Sequence, residues 1–293
     1  MSGAVVIVGA GVVGLTTALQ LILDGVSPSQ ITIVAKDGPE KSTSFVAGAL
    51  WECGMHIVPN ITVSQHPLKT NTAAKAMTPT TYRESSDLTS PAMTSWLQTH
   101  GTAELGSFRH LQHYDAVVAD MGVYLGWLKD QLASHRVHIN ALHVTDLRAL
   151  ATPGTIVVNC TGLFKEDPAI FPCKGQVVMV HAPWIRSAIC DEDSGAYMIP
   201  RPNGNLICGG TAENDVWNTD VQADVTDKIL AKCALVVPSV ARAKVVAARA
   251  GLRPERKGGR TIGHGGSGFC LAWGTAVEAS SLVRQCLTLR SKM

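Results

Sequence analysis

A chain of 293 residues, 46% hydrophobic and 16% charged, can bury a full core, and its length suits one two-part protein or two small domains rather than a minidomain. A formal net charge of +2 leaves no electrostatic case for nucleic acid as a partner. The eight cysteines are scattered without a CxxC pair, which argues against a zinc or dithiol centre, predicts no metal site and fits reduced thiols.

The apolar stretch Ala4–Leu23 has no basic region ahead of it and is broken by Gly9, Gly11, Gly14, Thr16, Thr17 and Gln20. It is therefore expected to be neither a signal peptide nor a membrane span. Val5–Val8 reads as a β-branched strand, Gly9–Gly14 as a turn, Leu15–Leu23 as a helix and Ile31–Val34 as a second strand. Together they make a βαβ unit of about 30 residues, whose crossover is right-handed by default.

Gly9-Ala10-Gly11-Val12-Val13-Gly14 is a GxGxxG run directly after a strand and at a helix start. In a dinucleotide site Gly9 would make the tight turn, Gly11 would admit the pyrophosphate to the backbone and Gly14 would let helix and strand pack closely. The helix N-terminus would then offer unpaired N–H groups and a positive dipole end to the phosphates. The alternative is a glycine-rich turn in some other α/β protein; the flanking strands and helix favour the dinucleotide. The acidic ribose ligand belongs near the end of the second strand, where Asp37 is the candidate. It stands one position later than the simplest pattern places it, and a solvated loop aspartate is the alternative.

From Met55 to about His110 the composition turns to Thr, Ser, Pro, His and Gln with little periodicity. It reads as a loop-rich insertion with one helix near Met93–Leu97. Val123–Leu132 then reads as a helix, and Val137–Val144, Thr155–Val158, Gln176–Val180 and Asn205–Cys208 as strands, the last after a Pro202-Asn203-Gly204 turn. No internal repeat or low-complexity tract is visible.

Several further segments, in order, resemble the D-amino-acid oxidase family, its fungal members most closely. Ser42-Thr43-Ser44, followed by Val46 to Trp51, resembles the family's hydroxyl-rich loop that holds the pyrophosphate and runs along the flavin, with Gly48, Ala49 and Leu50 as cofactor contacts. Val157 to Gly162 resembles the strand and turn beside the cofactor, which assigns Cys160, Thr161 and Gly162 to it, and Val144 is carried over to the same cofactor. Gly263-His264-Gly265-Gly266-Ser267-Gly268, running into a helix through Trp273, resembles the closing flavin loop, with Gly266, Ser267, Gly268, Phe269 and Cys270 at the cofactor. Physically this is a second nest of N–H donors at a helix N-terminus, suited to the electron-rich end of a reduced flavin.

The resemblance implies FAD as cofactor and an α/β fold: a Rossmann-type FAD-binding domain interleaved along the chain with a mixed-sheet α+β substrate domain. The expected divisions are 1–54, 123–165 and 243–293 for the first, and 55–122 and 166–242 for the second. Tyr197 to Pro202 and Gly251 to Arg256 resemble the two segments that bind the substrate carboxylate. A carboxylate suits the bidentate fork of an arginine, which singles out Arg253, with Tyr197 adding a hydroxyl. A surface ion pair and an ordinary core tyrosine are their respective alternatives. No residue is expected as catalytic acid or base, because hydride transfer from a neutral amine needs none. His264 reads as a structural loop residue, and Glu52 either stands near the flavin or is solvated.

The implied activity is oxidation of D-amino acids to imino acids and then 2-oxo acids, with O2 as electron acceptor and hydrogen peroxide as product. The chain departs from the family's pattern in three places: between Met55 and Tyr114, where antiparallel strands should roof the substrate cavity; between Gly259 and Gly263; and in the short stretch Cys190–Ala196 before Tyr197. These gaps raise a second reading, an FAD-binding protein of the same fold with altered or lost activity. A third, an NAD-dependent dehydrogenase, accounts for the first fifteen residues but not for the C-terminal glycine-rich loop. Ser291-Lys292-Met293 closely matches the Ser-Lys-Leu peroxisomal address, so the peroxisomal matrix and its import receptor are expected. Neither membrane nor nucleic acid is expected as a partner, and a homodimer is compatible with the chain.

Overall fold

Val5 and Ile7 are completely buried, and the strand they build is central in a four-stranded parallel sheet. In the computed structural model, which describes residues 4–46, 55–99, 105, 108–163, 167–257 and 268–290, β1 (Ala4–Val8) leads through helix α1 (Val12–Leu23) to β2 (Ile31–Ala35). The two strands pair in parallel from Val5 opposite Ile31 to Val8 opposite Val34. Helix α1 buries Thr16 and Thr17 as completely as Leu15, Ala18 and Leu21, so it is covered on more than one side. A single helical turn, α2 (Thr43–Val46), follows.

The next stretch departs from expectation. In place of a loop-rich insertion, the chain forms β3 (Met55–Ser64), α3 (Thr72–Met77), β4 (Arg83–Ser85), α4 (Pro91–Thr99), which contains the expected helix near Met93–Leu97, and β5 (His110–Ala119). Strands β3 and β5 are ten residues each and pair antiparallel along their whole length. The reason lies in where the polar residues point. Ile61 and Val63 are fully buried on one side of β3, but Asn60, Ser64 and Gln112 are buried as well. Polarity here marks a second interior surface rather than solvent, and it hides the two-residue period from a reading that equates polar with exposed.

Beyond β5 come α5 (Met121–Ser134), β6 (Ile139–Ala141) and β7 (Thr155–Asn159). Asp120 caps α5 by accepting from the N–H groups of Gly122 and Val123. Strand β6 is shorter than the expected Val137–Val144 and closes the parallel sheet in the order β6-β2-β1-β7. The remaining elements are β8 (Ile170–His181), β9 (Ala188–Asp191), β10 (Tyr197–Pro200), β11 (Asn205–Gly209), β12 (Glu213–Asn214), α6 (Ala223–Val236), β13 (Lys244–Arg256) and α7 (Gly268–Arg290).

A nine-stranded mixed sheet runs β12-β8-β11-β10-β9-β3-β5-β4, with β13 also pairing to β8. The sheet pairing runs across one expected division. The segment 243–293 does not lie wholly with the parallel sheet, because β13 hydrogen-bonds to β8 from Lys244 opposite His181 to Arg256 opposite Ile170. Among the described residues of this segment, α7 returns to the parallel sheet, packing on α1, where the Ser280 hydroxyl donates to Asp24 at 2.6 Å.

The large sheet has two unlike faces. One carries Ile61, Val63, Val178, Val180, Ile189, Met198 and Leu206, packed against Ile229, Cys233 and Val236 of α6 and Leu97 of α4. Alternation then forces Thr62, Cys190, Tyr197 and Gly209 to the other face, where they stand in register across four strands.

Candidate active site

The glycine-rich turn is built by contacts that admit no side chain. Gly9 has φ +122°, and a Cβ there would lie 2.2 Å from the carbonyl oxygen of Cys160; a Cβ at Gly14 would lie 2.0 Å from the Gly9 oxygen. These two glycines serve the packing of turn, helix and β7. Gly11 differs, because the closest atom its Cβ would meet is Ser44 Oγ at 3.2 Å. Gly11 is also the N-cap of α1 and offers no side-chain cap. Ser44 Oγ takes the Val12 N–H at this helix end, and the glycine leaves the backbone beside it approachable by an anion, as a pyrophosphate requires, so these residues fit FAD.

The hydroxyl-rich segment closes beside it. Ser44 Oγ accepts from the Val12 N–H at 3.1 Å, Ser42 donates to the Pro39 carbonyl, and Thr43 donates to the Leu252 carbonyl at 2.8 Å. Ser44 therefore stands at the helix end itself, while Thr43 ties this segment to β13 one residue before Arg253. Ala10 and Val12 are buried and Val13 packs against the same core, so their side chains are structural and only their backbone faces the helix end.

Arg253 and Tyr197 come from strands separated by β11 and β8, and they meet over a bed of glycines. The Arg253 guanidinium lies on Gly175, whose Cβ would stand 2.3 Å from Nη1, and the Tyr197 ring lies on Gly209 and Gly210, whose Cβ atoms would stand 2.2 Å and 2.8 Å from ring carbons. Both groups thus lie flat on the sheet and reach toward each other. Burial raises the Tyr197 hydroxyl pKa, and the charge of Arg253 and its hydrogen bond to the hydroxyl oppose that rise. Arg253 Nη1 donates to the Thr211 carbonyl at 3.0 Å. A cation and a phenol hydroxyl on one half-buried surface make a receptor for a carboxylate.

Further along the same face the strands carry Cys190, Thr62 and Tyr114. Burial pushes the Cys190 thiol up to about 11 and raises Tyr114. Tyr114 stacks on Tyr82 with ring centroids 6.2 Å apart, the Tyr82 hydroxyl donates to Glu84 at 2.6 Å, and Gln112 donates to the Lys69 carbonyl at 2.7 Å. These contacts close the far end of the face.

The other expected residues are distributed as follows. Asp37 lies two residues past β2, exposed, 3.3 Å from Lys41. It borders a cavity of about 300 Å³ lined also by Glu40, Lys129, His138 and Ile139. Val144 is half-buried, three residues past β6. Cys160 lies beneath the Gly9 turn, its thiol pushed up to about 12 by burial. Thr161 donates through both its N–H and its hydroxyl to Asn159, and Gly162 has φ +68°. Gly268 begins α7. Phe269 packs against Tyr124 in the core, with centroids 6.0 Å apart, and Cys270 is exposed. The Phe269 side chain is thus a packing group, leaving its backbone for any cofactor. Gly48, Ala49, Leu50, Gly266 and Ser267, with Glu52, His264 and the terminal Ser291-Lys292-Met293, lie outside the described residues.

Sequence reasoning missed Gly175, Gly209, Gly210 and Thr211. The signal was present in the Gly209-Gly210 pair at a strand end, since glycine in or beside a strand marks close approach by another group.

Comparison with known proteins gives a consistent answer. A family model described as FAD dependent oxidoreductase (DAO) matches residues 4–66 and 68–282. A D-amino-acid oxidase of Streptomyces coelicolor is 33% identical over 96% of this chain and 96% of its own length. One of Rubrobacter xylanophilus is 31% identical over 97% and 96%. Human D-aspartate oxidase is 28% identical over 97% and 95%. Among solved structures, glycine oxidase of Bacillus cereus superposes with a TM-score of 0.73 at 18% identity, covering 97% of this chain and 95% of that one. L-Proline dehydrogenase of P. horikoshii superposes with a TM-score of 0.76 at 13% identity, covering 97% and 94%. These two likenesses show the shared fold.

Proposed function

Because the chain belongs to the D-amino-acid oxidase family of FAD-dependent oxidoreductases, we propose that Arg253 and Tyr197 receive the carboxylate of a D-amino acid and hold its α-carbon for oxidation. The enzyme is an FAD-dependent D-amino-acid oxidase. The observation that carries the site assignment is the meeting of the Arg253 guanidinium and the Tyr197 hydroxyl over Gly175, Gly209 and Gly210. Bound FAD supplies the acceptor for the α-hydrogen as hydride, with O2 as final acceptor and hydrogen peroxide as product.

The protein's part is binding and orientation. The N-terminal end of α1 at Gly11, with Ser44 on its Val12 N–H, would hold the pyrophosphate. Arg253 offers a bidentate fork and Tyr197 a hydroxyl donor, so the carboxylate is fixed at two points and the amino acid cannot pivot. Loss of the α-hydrogen as hydride and of one amine proton to solvent leaves an imino acid, which water hydrolyses to the 2-oxo acid and ammonia, and no side chain need act as acid or base. The alternative of altered or lost activity drew on a missing set of antiparallel strands between residues 55 and 114. Strands β3, β4 and β5 occupy that segment, and that ground for the alternative falls away.

The peroxisomal matrix is the proposed location, supported by Ser291-Lys292-Met293 as the import signal and by the fit of a peroxide-forming enzyme to that compartment. A homodimer is the proposed assembly state, to be tested by sedimentation. A fluorescent fusion bearing residues 1–290 should lose the punctate distribution of the full chain; equal distributions would reject the address.

The activity is tested by mixing the purified yellow protein anaerobically with D-alanine. Bleaching of the flavin band with D-alanine and not with L-alanine is expected. Arg253→Ala should raise KM about a hundredfold while flavin content stays constant. Flavin loss equal to the loss of substrate affinity would refute the assignment of Arg253.

A further inference from the structure

We infer that Thr211 is a positioning residue for Arg253, fixing which guanidinium N–H groups remain for the substrate carboxylate; this rests on the reading of Arg253 as carboxylate anchor. Arg253 Nη1 donates to the Thr211 carbonyl at 3.0 Å. A guanidinium has five N–H donors in a rigid planar fork, so committing one of them to a neutral carbonyl sets the rotation of the whole group. Gly175 beneath the guanidinium has no side chain to grip it, and the Tyr197 hydroxyl, its other partner among the described residues, is itself a ligand of the carboxylate.

The Thr211 carbonyl is itself held in place. Thr211 Oγ1 accepts from the backbone N–H of Gln176 at 2.9 Å. Gln176 is completely buried: its Nε2 donates to the Gln222 carbonyl and to Thr226 Oγ1, and its Oε1 accepts from the Gln222 N–H, all at 2.9 Å. Two residues earlier on the same side of β8, the buried Lys174 donates to Asn218 Oδ1 at 2.9 Å. The segment 211–222 is therefore fastened to β8 by the pairing of β12, Glu213 opposite Lys174 and Asn214 opposite Cys173, and by side chains on the strand's apolar face, while its first residue, which precedes that pairing, reaches over to the face that holds Arg253. Thr211 also follows directly on Gly209 and Gly210, the bed of the Tyr197 ring. One short segment thus sets the orientation of both carboxylate ligands.

Removal of the Thr211 hydroxyl leaves the Gln176 N–H without its acceptor and frees the Thr211 carbonyl to move, so the fork loses its reference. The test compares steady-state kinetics on D-alanine for the FAD-loaded native enzyme, Thr211→Val, Thr211→Ser and Arg253→Ala. Thr211→Val should raise KM about five- to tenfold, with kcat lowered less than twofold, and Thr211→Ser should return KM to within twofold of native. A role in stability alone would lower the melting temperature without this KM shift or its rescue by serine. If Arg253→Ala raises KM and Thr211→Val leaves it within twofold of native, the inference is overturned and the carboxylate reading stands. If Arg253→Ala leaves KM unmoved, the carboxylate reading falls and the inference with it. Should Thr211→Val not fold, Thr211→Ala is assayed against the same thresholds.

Discussion

The ring of Tyr197 lies over Gly209 on the adjoining strand so closely that a Cβ on that glycine would stand 2.2 Å from the Tyr197 Cζ. The two residues are direct cross-strand partners, and the closeness is possible because one of them has no side chain.

Gly209→Ala should therefore act through Tyr197. The added methyl cannot be accommodated without lifting the ring, which moves the hydroxyl away from Arg253. KM for D-alanine is expected to rise at least tenfold, about 1.4 kcal/mol of binding, while the absorbance ratio of flavin to protein is unchanged. A variant with native KM would show that the tyrosine does not touch the substrate.

The two ends of the nucleotide turn should separate in their response to alanine. Gly9→Ala forces a side chain at φ +122° and 2.2 Å from the Cys160 oxygen, and is expected to cost about 3 kcal/mol of stability, read by chemical denaturation. Gly11→Ala places its methyl 3.2 Å from Ser44 Oγ, so the protein should fold with near-native stability and bind FAD more weakly in equilibrium titration. Equal flavin affinity in Gly11→Ala and the native protein would remove this turn from the cofactor site.

Asp24 links the first and last long helices. The hydrogen bond from Ser280, followed by that from Gln20, holds its pKa below the ordinary 3.8. A carboxylate with a depressed folded-state pKa stabilises the fold above the unfolded-state value, and that contribution is lost as pH falls through the folded-state pKa. Ser280→Ala should lower Tm by about 2–4 °C at pH 7, and the gap from native should narrow as pH falls below 3.8. A gap independent of pH would assign the effect to packing alone.

Burial should govern thiol reactivity. Cys160 and Cys190 are pushed up to about 12 and about 11 by their surroundings, and the thiolate is the reactive form. Iodoacetamide at pH 8 should alkylate the exposed Cys286 and spare both, as read by peptide mass mapping. Rapid modification of Cys160 in the folded protein would contradict the packing of the turn over β7.

The cofactor half was legible in the sequence because its signals are local. Val5 to Val8, the glycine spacing and Ile31 to Val34 lie within one βαβ unit, where strand, turn and helix each follow from the immediate neighbours. The substrate half was only partly legible. Tyr197 and Arg253 could be singled out by resemblance, but Met55 to His110 was misread because Asn60, Ser64 and Gln112 are polar and buried together. Similarly, β13 could not be assigned to the larger sheet from its own residues, since the choice of β8 as partner is made by pairing across more than sixty positions of chain.

The sequence by itself marked Gly9–Gly14 as a strand, turn and helix start suited to a dinucleotide, and resemblance singled out Arg253 and Tyr197 for a carboxylate. Tertiary structure alone decided that these two would meet. They stand 56 positions apart on strands that are not neighbours, and they converge because Gly175, Gly209 and Gly210 leave room for both side chains to lie across the intervening strands while the Thr211 carbonyl takes one guanidinium N–H. Such convergence depends on strand order and register, which the large sheet fixes by burying its other face against α4 and α6.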